Sequence, residues 1–242
     1  MPFASALFVL ETLGVSWKLK NILIILTTTY VSAYCAKPIV GGHALYIVDK
    51  VTIGSSSFIQ AIILALFVTP LAIMFGYLAK KASSHRITGK EILWTLPFAF
   101  LILGGLSADL PIFMGNGQVL AQWIFSGNSS AYLPVILIIK CLLVCLLLRS
   151  GAYGGTLTPS FALGVGTGYL VTVLLGNFGF SHSPNLGMLL GATIFLGTTL
   201  DAPLTGIALV VGFTGTGGVV VFPLILASIL SRIINNKWKE RV

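Results

Sequence analysis

The apolar residues of this chain fall into runs that are mostly too short to cross a bilayer and are interrupted by glycine and proline. They occupy residues 2–14, 22–36, 58–79, 92–106, 132–148, 158–175, 186–200, 203–213 and 219–234, with a weaker run at 117–125. Only 58–79 comfortably reaches the roughly 20 residues that a hydrocarbon core of about 30 Å requires, and Pro70 sits inside it. A short helix ending in lipid exposes N–H and C=O groups with no water to bond, so such helices must be enclosed by neighbours in one bundle. A soluble globule is excluded by the polar surface it would need. Only 8% of the residues are charged, against roughly 25% in soluble domains, while 56% are hydrophobic. Twenty-seven glycines and ten prolines suit helices that approach closely and break beside a buried polar site. The predicted fold is an all-α integral membrane bundle of about ten short, tilted and broken helices, with transporter or channel architecture.

The net charge of +8 does not indicate a nucleic-acid partner, because the basic residues sit at segment ends and in loops, where lipid headgroups are anionic. Lys80, Lys81, Arg86 and Lys90 crowd one connection, and Lys237, Lys239 and Arg241 crowd the C-terminus. The excess of positive charge in cytoplasmic loops places both on the cytoplasmic face, with an even number of crossings between them. The expected location is a bacterial inner membrane, crossed several times, with the C-terminus cytoplasmic. Cys35, Cys141 and Cys145 lie in apolar runs without ligand or disulfide spacing and read as small core residues. His43, His85 and His182 are distant in sequence and predict no metal site, and no cofactor is expected. Trp94, Trp123 and Trp238 stand near segment ends, as interfacial anchors do. No cleavable signal is visible, since Glu11 interrupts the first run without a basic stretch before it. An intramembrane enzyme would need paired carboxylates, a zinc motif or a nucleophile with its base, and the runs contain none of these.

The stretch that carries chemistry is residues 149–169, R-S-G-A-Y-G-G-T-L-T-P-S-F-A-L-G-V-G-T-G-Y. Gly151, Gly154 and Gly155 do not suit a helix interior but do suit backbone that must approach a ligand. Pro159 then falls in the first turn of a helix, where its missing N–H is no loss, and Gly164, Gly166 and Gly168 give that helix a small-residue face. A helix start presents unpaired N–H groups and roughly half a positive charge, which inside a membrane makes a site for an anion. The predicted site is Gly154, Gly155, Thr156, Leu157, Thr158 and Pro159, with the amides of Thr156 and Leu157 as donors. Aligned dipoles offset part of the cost of a buried ion without the full charge that would hold it too tightly for passage. The competing reading is that the glycines only permit a tight helix crossing.

The order Gly154-Gly155, two residues, Pro159 resembles the signature G-G-x-F-x-P of the CLC family of chloride channels and chloride/proton exchangers, with Leu157 in place of the usual phenylalanine. Residues 201–207, D-A-P-L-T-G-I, resemble the A-P-L-T-G-I that opens a later helix of that family. Residues 2–12 are similar to its A-P-L-A-G-x-L-F-x-x-E-E, and Lys140 matches a basic residue in the helix before the signature. The likeness between residues 2–10 and 203–211 reads as an internal repeat, which the inverted-repeat architecture of the family also implies. The resemblance implies that residues 1–242 are the end of a first repeat and most of a second, without a cytoplasmic regulatory domain. It further implies a homodimer joined through residues 2–14, 22–36, 203–213 and 219–234, with chloride or a similar small anion as substrate in each subunit.

Several parts of the family's pathway are absent. Neither the G-S-G-x-P loop nor the G-x-E-G-P loop with its gating glutamate occurs, and no tyrosine follows Tyr169. The missing half is expected upstream, either on a separately encoded chain or across a frameshift, and a transport-incompetent fragment or accessory subunit is the competing expectation. Exchangers of the family place a proton-carrying acid directly after the glutamate that Glu11 matches, whereas Thr12 stands here, so channel-like or weakly proton-coupled transport is expected. Asp201 reads as the N-cap of the helix that Pro203 opens. Lys140, a charge within an apolar run, either draws anions into the pathway or reaches an interface or helix-end carbonyls. Glu11 is a pathway candidate or a structural hydrogen-bonding group.

Overall fold

The computed structural model describes residues 1–128, 130–178 and 183–240, so His182 and Arg241 lie outside the described residues. The helices in chain order are α1 (Pro2–Glu11), α2 (Leu19–Val40), α3 (Ser56–Ser84), α4 (Ile92–Asp109), α5 (Gln118–Phe125), α6 (Leu133–Arg149), α7 (Leu157–Asn177), α8 (Pro184–Thr199), α9 (Pro203–Thr214) and α10 (Val221–Lys239). Short 3-10 turns precede α4, α5 and α10, and no strand occurs among the described residues. Each apolar run of the sequence corresponds to one helix, the weak run at 117–125 included.

Five helical segments among the described residues are long and apolar enough to cross a bilayer, where the runs alone indicated one. The difference arises at the ends. α3 extends to 29 residues because Lys80, Lys81 and the residues after them continue the helix, and α10 continues through Asn235, Asn236 and Lys237. Lysine is a good helix former whose long stem keeps its charge at the headgroups, so an apolar run ends before its helix does. Pro70 and Pro97 lie inside α3 and α4, and beside the first the Thr69 hydroxyl donates to the Ala65 carbonyl.

The centre of the bundle is the crossing of α7 and α8. Gly164 and Gly168, one turn apart on α7, meet Gly187, Gly191 and Ala192 of α8. A methyl group on Gly164 would stand 2.7 Å from both the Gly191 carbonyl oxygen and the Ala192 Cα, so backbone lies directly against backbone. Gly166 points to the other side, onto the Leu137 side chain of α6, so the three glycines divide between two faces instead of sharing one. α3 and α10 cover α8, while α5 and α6 flank α7. α1 and α9 run antiparallel, with Met1 against Gly212 and Glu11 at the start of α9. α2 and α4 lie outside, exposing Leu23, Tyr30 and Tyr34 on one and Leu93, Phe98 and Leu101 on the other.

Candidate functional site

Between α6 and α7 the chain turns and re-enters the bundle. Gly151 has φ +112°, a conformation that favours glycine, and sits against the Ile92 side chain, so it serves the turn and not a ligand. That corrects its grouping with Gly154 and Gly155. The Thr95 hydroxyl donates to the Ser150 carbonyl at 3.1 Å, and the Arg86 guanidinium lies 4.0 Å from the centre of the Tyr153 ring. On the far side, the Thr199 hydroxyl at the end of α8 donates to that of Ser160 in the first turn of α7 at 3.1 Å. The turn is therefore held from the connection after α3, from α4 and from α8 at once. Ser160 and Thr199 escaped sequence reasoning, because hydroxyls 39 positions apart carry no local signal.

The amides that follow have no protein partner among the described residues. The first bond of the helical pattern is Ser160 N–H to the Thr156 carbonyl, at 2.9 Å. Among the described residues, the N–H groups of Gly154, Gly155, Thr156, Leu157 and Thr158 meet no protein acceptor, and no side chain caps α7. The next two helices differ. At the start of α8 the Ser183 hydroxyl accepts from Leu186 N–H at 3.5 Å. At the start of α9 the Glu11 carboxylate accepts from Leu204 N–H at 3.2 Å and from Thr205 N–H at 2.6 Å. An anion is thus already seated on one helix start, where the exposed amides and the helix dipole favour it, while the start of α7 is left open.

Gly154, Gly155 and Thr156 open onto a cavity of about 1540 Å³ between α3, α8 and α10. A Cβ added to Gly154 or Gly155 would meet nothing within 4 Å, and neither residue has a positive φ. Neither backbone strain nor packing within this chain accounts for glycine at these two positions. Thr198 and Thr199 also line the wall, and Lys80 and Lys239 stand at it. Both basic clusters therefore stand at the same end of the bundle.

The remaining predicted residues do not gather here. Pro159 is buried in the α7 packing, and neither it, Leu157 nor Thr158 lines the cavity. Glu11 is occupied at α9, and the Thr12 hydroxyl beside it is buried with no partner among the described residues. Lys140 is 2% exposed and donates to the carbonyls of Phe113 and Gly115, each at 2.9 Å, closing the loop before α5. Asp201 is not an N-cap. Ala202 holds that position, Asp201 adopts φ +54°, and its carboxylate pairs with Lys239 at 2.8 Å on the open side of the cavity. Asparagine and aspartate tolerate the left-handed region, and the Glu11 carboxylate has already taken the amides a cap would bind.

Lys140→Met is expected to lower stability by about 1–3 kcal/mol, because two buried carbonyls lose their donor. Thermal unfolding of the detergent-purified protein reads this, and an unshifted midpoint would contradict it.

These elements define a multi-pass membrane protein of broken helices, one of which starts with free amides in the wall of a large cavity. The sequence pattern described as "Voltage gated chloride channel" matches residues 1–236, and the chain belongs to that family. A voltage-gated ClC-type chloride channel, ClcB, of Escherichia coli (strain SMS-3-5 / SECEC) is 29% identical over 154 residues, a match covering 59% of this chain and 35% of that protein. A slow cyanobacterial Cl⁻/H⁺ antiporter has a similar fold, with TM-score 0.79 at 19% identity over 98% of this chain and 57% of the other. A CLC-type fluoride/proton antiporter gives TM-score 0.76 at 19% identity, covering 98% of this chain and 59% of that one. The chain thus spans about a third of the channel's length and under three-fifths of either antiporter.

Proposed function

We propose that this chain takes part in moving chloride or a similar small anion across a membrane, with the anion held by the amides at the start of α7. The observation that carries this reading is the set of N–H groups at residues 154–158 that meet no protein acceptor among the described residues, beside two glycines with open space before them. The amides supply a moderate, fixed positive potential, and Lys80 raises the local anion concentration at the mouth of the cavity, where Lys239 is already paired with Asp201. Neighbouring ends of α3 and α10 carry the basic clusters, which favours a cytoplasmic mouth in a bacterial inner membrane, with the C-terminus on the same side. Thr12 does not titrate near neutral pH, which favours channel-like or weakly proton-coupled flux over tightly coupled exchange. Exposed apolar residues of α2, and Phe222, Ile225 and Ile229 of α10, offer a surface for a homodimer.

Gly155→Leu tests the site, since its Cβ meets nothing within 4 Å and the rest of the side chain projects into the space before the amides. Chloride binding measured by calorimetry on the purified chain is expected to weaken by at least about tenfold, as the loss of a good hydrogen bond to an ion implies. Equal affinity in the wild type and the variant would remove the site.

The share of the antiporters that this chain spans favours a second reading, in which it binds the anion and needs a further polypeptide to carry flux. Chloride efflux from liposomes reconstituted with this chain alone separates the two: flux supports the first reading, and binding without flux the second.

A further inference from the structure

A separate groove of about 660 Å³ lies between α3, α4 and α6 and shares no lining residue with the large cavity. Its walls are apolar, formed by Leu78 and Ala82 of α3, Ile102 of α4, and Ile139, Leu142 and Leu146 of α6. Lys81 and Arg149, each near the end of its helix, close one end of it. The ten-residue step from Ile139 to Arg149 is about 15 Å of helix, so the groove is elongated, greasy along its length and cationic at one end. No carboxylate neutralises that end. The one ion pair among the described residues joins Lys239 to Asp201, and Glu91, at the start of α4, pairs with neither Lys81 nor Arg149. The Lys81 ammonium stands 5.8 Å from the centre of the Tyr77 ring and donates to no protein acceptor among the described residues.

A small soluble anion accounts for the two cations and leaves the apolar walls without a role. A neutral hydrocarbon accounts for the walls and leaves two positive charges unopposed. We infer that the groove binds an anionic phospholipid, with an acyl chain along Ala82, Ile102, Ile139 and Leu142 and the phosphodiester on Lys81 and Arg149. The chain gains burial against hydrocarbon walls, and guanidinium and ammonium meet phosphate as charge-assisted hydrogen-bond donors. The site sits where the basic clusters mark one membrane face, so the headgroup lies at the level of its leaflet. Such a lipid splints α4, otherwise the least enclosed of the spanning helices beside α2, to α3 and α6.

The test is native mass spectrometry of the purified 242-residue chain in neutral detergent, titrated with phosphatidylglycerol, phosphatidylcholine or glycerol 3-phosphate. Phosphatidylglycerol is expected to be retained, and the double variant Lys81→Gln/Arg149→Gln to weaken it by about ten- to thirtyfold. Ala82→Phe, which obstructs the groove without changing charge, is expected to weaken it as well. Lys80→Gln/Lys90→Gln removes the same charge nearby and is expected to leave retention within about twofold. Phosphatidylcholine held as tightly as phosphatidylglycerol overturns the inference, as does glycerol 3-phosphate binding with equal affinity. Equal losses in the two double variants overturn it too, since they reduce the effect to diffuse surface charge.

Discussion

Gly191→Val is expected to prevent the bundle from assembling, at a cost of at least about 3 kcal/mol. A Cβ at residue 191 would stand 2.6 Å from the Gly168 Cα and 2.8 Å from its nitrogen, and the Gly164 carbonyl lies on the same side. All of these atoms are backbone, so no side chain can rotate away, and relief requires that α7 and α8 separate. That separation would loosen α3 and α10, which pack on α8, and α5 and α6, which pack on α7. Size-exclusion elution and the thermal midpoint of the detergent-purified protein read the effect. Gly105→Ala is the matched control, because a Cβ there meets nothing within 4 Å and alanine is the better helix former. A Gly191→Val protein that elutes as a single peak with the wild-type midpoint would falsify the crossing.

Glu11→Ala is expected to cost about 2–4 kcal/mol, the second largest loss. The carboxylate accepts from two amides at the start of α9 and places a full negative charge against that helix's positive end. Alanine leaves both donors without a partner, and Thr205 is buried, so water reaches its amide poorly. Glu11→Gln keeps one oxygen acceptor and is expected to recover about half the loss. The bare amides of the alanine variant would then resemble the start of α7, so added chloride is expected to raise its midpoint where gluconate at equal ionic strength does not. Thermal unfolding in the two salts decides the matter: an alanine variant as stable as the wild type in both would show that α9 does not need the carboxylate.

The ten helices were legible because proline and glycine punctuate the sequence at their ends: Pro2, Pro134, Pro159, Pro184, Pro203 and Pro223 each fall in a first turn. Their lengths were not, because helix continues into lysine and asparagine once the apolar residues stop. The turn before α7 was visible as Gly154, Gly155 and Pro159 in close order. The roles of charged residues were harder to read, because each depends on a partner remote in the chain. Glu11 finds its amides 193 and 194 positions away, and Lys140 finds its carbonyls at 25 and 27. Asp201 shows the same limit from the other side. Its place before Pro203 is that of a cap, yet a carboxylate from the other end of the chain has displaced it.

Gly154 and Gly155 stand where an added Cβ touches nothing, which separates two kinds of selection that usually coincide. A library of substitutions at these positions, sorted by expression or heat resistance, should return nearly every small and medium side chain as acceptable. Sorted by halide affinity, the same library should return glycine and little else. Residues of this kind are invisible to any screen that scores only whether the protein survives.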